Sequence, residues 1–391
     1  MNNNNNPIIT PILQRRKPIH TDNEQPQETL EEQNIAINTG NTVKIEFETL
    51  GRFSLPPILY FKDYTNKHVN DLILSSDDNL LETLLAILQE NCISDTSIDL
   101  SLATLEELLE IVIGIKAKFD TTNHIHYWVC SCQNEKPDKE KIINETNVNL
   151  LELQYKSLAE LDEEIKQYFA ETFTSMTDEE FKSYLYKKYK NNPLDDIDSW
   201  TKEKELQTIT IKEPFTFIDN DITYSFHYPR LRDILMAKKE SERKFLPKIK
   251  MVQNRREANI PLHELKEKKE EEIKKIKEEQ AKFLILYAKS LCLESINSVA
   301  IPDVEKYTKF SNDIPRHIIR QLDELLNILD FGLKTEISLE CPICGSSERG
   351  LLREVLDIRQ LLPYGDSYNL KRISSEGNNR IFAKSNFYFG I

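Results

Sequence analysis

The sequence predicts an α+β, mostly helical chain in two related halves, and three observations carry that expectation. Short runs of alternating apolar residues are few and far apart. Between them, apolar residues recur at three- and four-residue spacing, as on one face of a helix. Each half also follows one plan: a β segment near its start (42–61, then 209–228), capped apolar helices, then an alternating run that ends in a close pair of cysteines (125–132, then 335–344). The expected organisation is a flexible polar arm over 1–42, an N-terminal α+β domain over 43–144 and an acidic helical insert over 145–208. A C-terminal α+β domain over 209–365 and a tail over 366–391 complete it.

The arm is Asn-, Gln- and Pro-rich and has no apolar period. From Thr42, Val43, Ile45 and Phe47 alternate with polar residues, as in a half-buried strand, and Ile58–Phe61 gives a second short run. Asn79 with Glu82, and Thr104 with Glu107, have capping-box spacing ahead of Leu-rich faces. The stretch His124-Ile-His126-Tyr-Trp128-Val-Cys130-Ser-Cys132 reads as an aromatic strand running into the first cysteine pair. In the insert, Ser157 with Glu160 and Thr177 with Glu180 open two helices, the second broken at Asn192-Pro193. Alternating aromatics on either side of Asp219-Asn220-Asp221 signal a hairpin, and Leu231, Ile234 and Leu235 a helix after it. A single long helix is expected over 262–296, charged at first and apolar after Phe283, with Glu and Lys at i, i+4. A further patterned helix through Ile318, Leu322, Leu325, Leu326 and Leu329 stops at Gly332.

Composition narrows the function. The 391 residues carry a formal net charge of −14, the opposite of the basic footprint of nucleic-acid binding. Only 9 glycines are present, and neither dinucleotide nor phosphate-loop fingerprints occur. No apolar run approaches the length of a membrane span, so no membrane anchor is expected. The first residues, Met followed by five Asn, lack the apolar core of a secretory signal. In a reducing compartment, close cysteine pairs point to metal ahead of disulfides.

Six cysteines are present, at 92, 130, 132, 292, 341 and 344. Cys341-Pro-Ile-Cys344-Gly345 has the two-residue spacing of a turn that aims both sulfurs at one centre, which suits tetrahedral Zn²⁺. One pair is half of a structural site. Cys130 and Cys132 are the remaining close pair, so a shared four-thiolate zinc at Cys130, Cys132, Cys341 and Cys344 is the sharp expectation. A rival site adds His124 or His126 to Cys130 and Cys132, since all four share one face of a strand; the remaining reading is free buried thiols beside an exposed histidine pair, and it is weakest for Cys341-Pro-Ile-Cys344. Cys92 and Cys292 read as buried thiols on apolar helices. The acidic clusters 162–164, 178–180 and 195–196 sit at helix starts, where carboxylates favour the dipole. Nothing in this set suggests an enzyme.

The order of these features resembles the T4-type baseplate proteins of contractile-tailed bacteriophages, specifically the baseplate hub and hub-assembly family. The matching stretches are Gly51-Arg-Phe-Ser-Leu55-Pro56 with Ile58–Phe61, the helices over 79–91 and 104–116, and Trp128-Val-Cys130-Ser-Cys132. In the back half they are Phe215 to Leu235, Leu325 to Gly332 and Leu339-Glu-Cys341-Pro-Ile-Cys344-Gly345. The resemblance implies a structural subunit or assembly factor of a tail baseplate, assembled in the host cytoplasm and placed in the virion. The implied partners are other baseplate and tail subunits, copies of this chain included. Without the resemblance, the same features describe a cytosolic zinc-stapled scaffold or adaptor.

Overall fold

The computed structural model describes residues 42–75, 79–93, 98–130, 132, 142–153, 155–189, 196–219, 222–255, 262–329, 331–333, 336–345, 352–355 and 361–362. The expected arm (apart from Thr42), the tail and the Asn192-Pro193 break lie outside these residues. The mixed α+β, mostly helical class is what the structure has: ten α-helices and several small antiparallel sheets among the described residues. The chain forms two compact units. Among the described residues, one is Lys212–Ile328; the other joins Thr42–Ile211 to those from Leu329 onward. They are called here the inserted and the discontinuous unit.

The discontinuous unit opens with β1 (Thr42–Glu46) and β2 (Ile58–Lys62), antiparallel and in register from Thr42↔Lys62 to Glu46↔Ile58. The sheet is completed by β3 (Cys92–Ile93) on β2. After α1 (Asn66–Leu74), which buries Val69 and Leu72, the helices α2 (Leu80–Asn91) and α3 (Leu105–Phe119) supply Leu84, Leu88, Leu108 and Val112, all fully buried, to a core shared with Phe47 and Phe61. At Gly114 of α3 an added Cβ would stand 2.3 Å from Ile45 Cδ1, so the Ile45 side chain of β1 fills the space beside this glycine. A two-stranded ribbon follows, β4 (Asn123–Trp128) on β5 (Asn144–Asn149). After β6 (Tyr155–Lys156) come α4 (Leu158–Ser175), α5 (Asp178–Lys188) and α6 (Lys202–Gln207). Arg52 pairs with Asp162 of α4, and Asp162 Oδ1 accepts the Ile211 amide at 2.7 Å. That acidic residue ties three parts of the unit together.

Among its described residues, the inserted unit has a four-stranded antiparallel sheet and four helices. The hairpin of β7 (Phe215–Asp219) and β8 (Ile222–Phe226) stands as expected from its aromatics. Next, α7 (Leu231–Asn254) and α8 (Leu262–Leu291) run antiparallel, with Phe245 and Phe283 rings 5.6 Å apart and Arg255 paired to Glu272. The expected helix over 262–296 ends at Leu291. Its last residues form β9 (Leu293–Ile296), hydrogen-bonded to β8. Asn297 and Ser298, at φ 52 and 63, then make a two-residue hairpin turn into β10 (Val299–Ala300). Helices α9 (Asp303–Asn312) and α10 (Arg316–Ile328) close the unit. In α10, Ile318, Leu322, Leu325 and Leu326 are buried at i, i+4, i+7 and i+8.

From Leu329 the chain belongs to the discontinuous unit again, which corrects the expected domain over 209–365. Phe331 is buried, with its ring 5.6 Å from that of Phe53. The strand β11 (Gly332–Leu333) pairs with β6, and β12 (Glu336–Leu339) pairs with β13 (Leu352–Val355). Lys116 of α3, fully buried, donates to the Leu362 carbonyl at 3.3 Å. Strand pairing and aromatic packing over a long sequence separation outweigh proximity along the chain, so the second cysteine pair is not part of a second half-molecule.

Candidate metal centre

The two cysteine pairs meet. Cys130 and Cys132 follow the end of β4, whose buried face carries His124, His126 and Trp128. The Trp128 indole donates to Thr146 Oγ1 at 3.0 Å, which holds the strand end against β5. Cys341 and Cys344 follow β12, anchored by the fully buried Leu339. The second pair sits in a tight turn: the Gly345 amide donates to the Cys341 carbonyl at 2.8 Å, and Gly345 has φ 63. Glycine takes that left-handed conformation without steric cost.

The sulfur of Cys130 lies 3.8 Å from that of Cys344, and the sulfur of Cys132 lies 3.9 Å from that of Cys341. All four sulfurs fall within 4.8 Å of one another. A disulfide needs about 2.05 Å, whereas a tetrahedron with Zn–S of about 2.3 Å has S···S edges of about 3.8 Å. The donor set and the spacing fit a four-thiolate centre. Cys130 and Cys341 are buried and the other two half-buried, so the centre has a closed inner side and a shallow outer one.

The electrostatics favour a cation. Burial pushes the Cys341 thiol up, but the amides of Cys344 and Ile343 aim at its sulfur and bring it down to about 7. The Cys132 thiol is pushed up to about 12, first by its contact with Cys130, then by burial and by Cys341 and Cys344. Four thiolates cannot crowd together without a counter-charge. A divalent cation supplies one and deprotonates coordinating thiols outright.

His124 and His126 share the inner face of β4 as expected, but they are buried and lie outside the sulfur cluster. The four-cysteine arrangement is therefore the one formed, and the histidine-containing one is not. Cys92 lies in β3 and is half-buried; Cys292 follows α8 and is fully buried. Their thiols are both pushed up by burial, the opposite of an activated nucleophile.

Sequence reasoning missed a second group, His227, Asp233 and Cys292, whose ligand atoms also converge. Its atoms are already engaged. The His227 ring nitrogens lie against the carbonyls of Tyr228 at 2.8 Å and Leu291 at 3.1 Å. Asp233 Oδ2 accepts the Arg230 amide at 3.0 Å. Burial, then Arg230, Lys306 and Arg232, push the imidazole down to about 3. Those cations also repel a metal ion, so the group is a buried polar joint. Only the hairpin preceding it signalled its place.

No protein-family model matches the chain, and no curated protein or solved structure is significantly similar to it. The argument for function therefore rests on the thiol cluster and the fold around it.

Proposed function

We propose that this chain is a non-enzymatic structural subunit or assembly factor of a contractile bacteriophage tail baseplate, stapled internally by one zinc ion. The observation that carries the reading is the convergence of Cys130 and Cys132 with Cys341 and Cys344 across 209 residues or more of sequence. Four thiolates fill a tetrahedral shell and leave no position for substrate or activated water. Such a site holds segments together and catalyses nothing. The phage assignment adds the order of Leu-Pro step, capped helices and cysteine knuckle, which resembles the baseplate hub family.

Two measurements test it. Elemental analysis of protein purified without chelator should give about one zinc per chain, lost in Cys341→Ser; a metal-free wild type with full thermal stability would remove the staple. Mass spectrometry of purified tailed particles from the source phage should find the chain, or find tails stalled at the baseplate when its gene is disrupted. Normal tails without it would leave only the cytosolic zinc-stapled scaffold.

A further inference from the structure

The formal charge is unevenly divided. Residues 212–328 hold 23 Lys and Arg against 20 Asp and Glu, a net of +3, so in a chain of −14 the remainder carries −17. The imbalance concentrates on two helices. On α7, seven basic residues face three acidic ones, with Arg230 and Arg255 at its two ends; on α4, five acidic residues face one basic.

Both charge sets lie on solvent faces. On α7, Lys239, Arg243 and Lys250 are exposed at i, i+4 and i+11, on one side of the helix. On α4, Glu160, Glu164 and Glu171 are exposed at the same i, i+4 and i+11. Each triad spans about 16 Å of helix. Each also carries an exposed apolar side chain beside it: Leu246, 42% exposed, and Tyr168, 53% exposed. Arg243 pairs with Glu240 on its own helix at 2.7 Å, and Glu164 with Lys156 at 2.9 Å. Exposed pairs of this kind contribute little and exchange readily.

We propose that the chain self-associates head to tail, the basic face of α7 on one copy lying parallel to the acidic face of α4 on the next. The occupant is a second copy because the two faces have the same spacing and opposite charge, and each copy carries one of each. The contact is heterologous. It therefore propagates around a ring if the rotation closes and along a filament if it does not. The inference does not rest on the metal centre.

Sedimentation velocity on the full-length protein at about 50 and about 500 mM NaCl tests it, since salt at the higher level screens such faces. The wild type should form oligomers at low salt and dissociate at high salt. The triple variants Lys239→Glu/Arg243→Glu/Lys250→Glu and Glu160→Lys/Glu164→Lys/Glu171→Lys should each be monomeric at low salt. Mixed together they should recover oligomers of alternating composition. Zinc content should equal that of the wild type in both. A wild type that stays monomeric at low salt, variants that still associate, or a mixture without recovery would each overturn the proposal. So would tight binding of a short DNA duplex lost only in the α7 variant, which would assign the basic face to nucleic acid.

Discussion

At Gly332 the backbone takes φ 80, and an added Cβ would lie 2.9 Å from both Cβ and Cγ of Glu106. Conformation and space both demand glycine there, at the point where β11 passes α3. Gly332→Ala should cost about 1–3 kcal/mol, read as a lowered melting temperature by calorimetry; an unchanged value would mean that β11 does not lie against α3. At His227 the effect depends on pH. Its folded value, about 3, lies below its ordinary 6.5, so its contribution is complete above pH 6.5 and is lost as pH falls through 3. Burial pushes Glu213 the other way, from 4.5 to about 7, so its contribution is present below 4.5 and lost as pH rises through 7. The two slopes oppose each other between 4.5 and 6.5, and acid lability emerges below. Melting curves of wild type and His227→Asn should therefore draw together on acidification from pH 6.5. A constant gap down to pH 3 would mean that His227 is not held neutral.

At the scale of single elements, local chemistry in the sequence was a good guide where side chain and backbone close on each other. Thr104, Ser157 and Thr177 each cap a helix reciprocally with the Glu three residues on. Thr104 is buried, and its Glu107 partner also accepts from Thr49 Oγ1 at 2.6 Å. Thr104→Ala should lose about 1–2 kcal/mol in urea denaturation; no loss would show that the cap is redundant. Asn79 makes no side-chain cap, while Thr65 with His68 forms a box that the usual Glu or Gln pattern does not reveal. Glu205 of α6 gathers the buried Lys188 and the half-buried Tyr189, by Oη at 2.9 Å, and Trp200, by its indole at 2.8 Å. Glu205→Gln leaves the buried Lys188 ammonium without a counter-charge. The expected cost is about 3–5 kcal/mol, enough to lower the yield of folded protein; a variant as stable as the wild type would show that the Lys188–Glu205 contact does not support the fold.

For the whole molecule the consequence is topological. The thiol cluster brings the end of β4 to the turn after β12, two segments that flank the inserted unit in sequence. Chelation should therefore act regionally. Hydrogen exchange after treatment with a strong zinc chelator should rise in 123–149 and 336–345 while 215–226 and 316–328 stay protected. Uniform loss of protection would instead indicate one cooperative body. Expectation and structure part at this level: the sequence pattern suggested two halves, each with its own cysteine pair, and both pairs lie in one unit.

By itself the sequence determined the class, the capped helices, the aromatic hairpin and the four cysteines as one candidate set. Those features depend on periods of two or 3.6 residues, on caps three residues apart and on ligand spacing, all short-range. Only the tertiary structure decided that Cys130 and Cys132 face Cys341 and Cys344 and that Leu293–Ile296 leaves its helix for a strand. It alone returned the chain from Leu329 to the discontinuous unit and kept the histidines of β4 out of the sulfur cluster. Those outcomes depend on strand pairing and burial between residues far apart in sequence, where the gain in apolar contact outweighs the entropy of closing long loops. No local pattern encodes that balance.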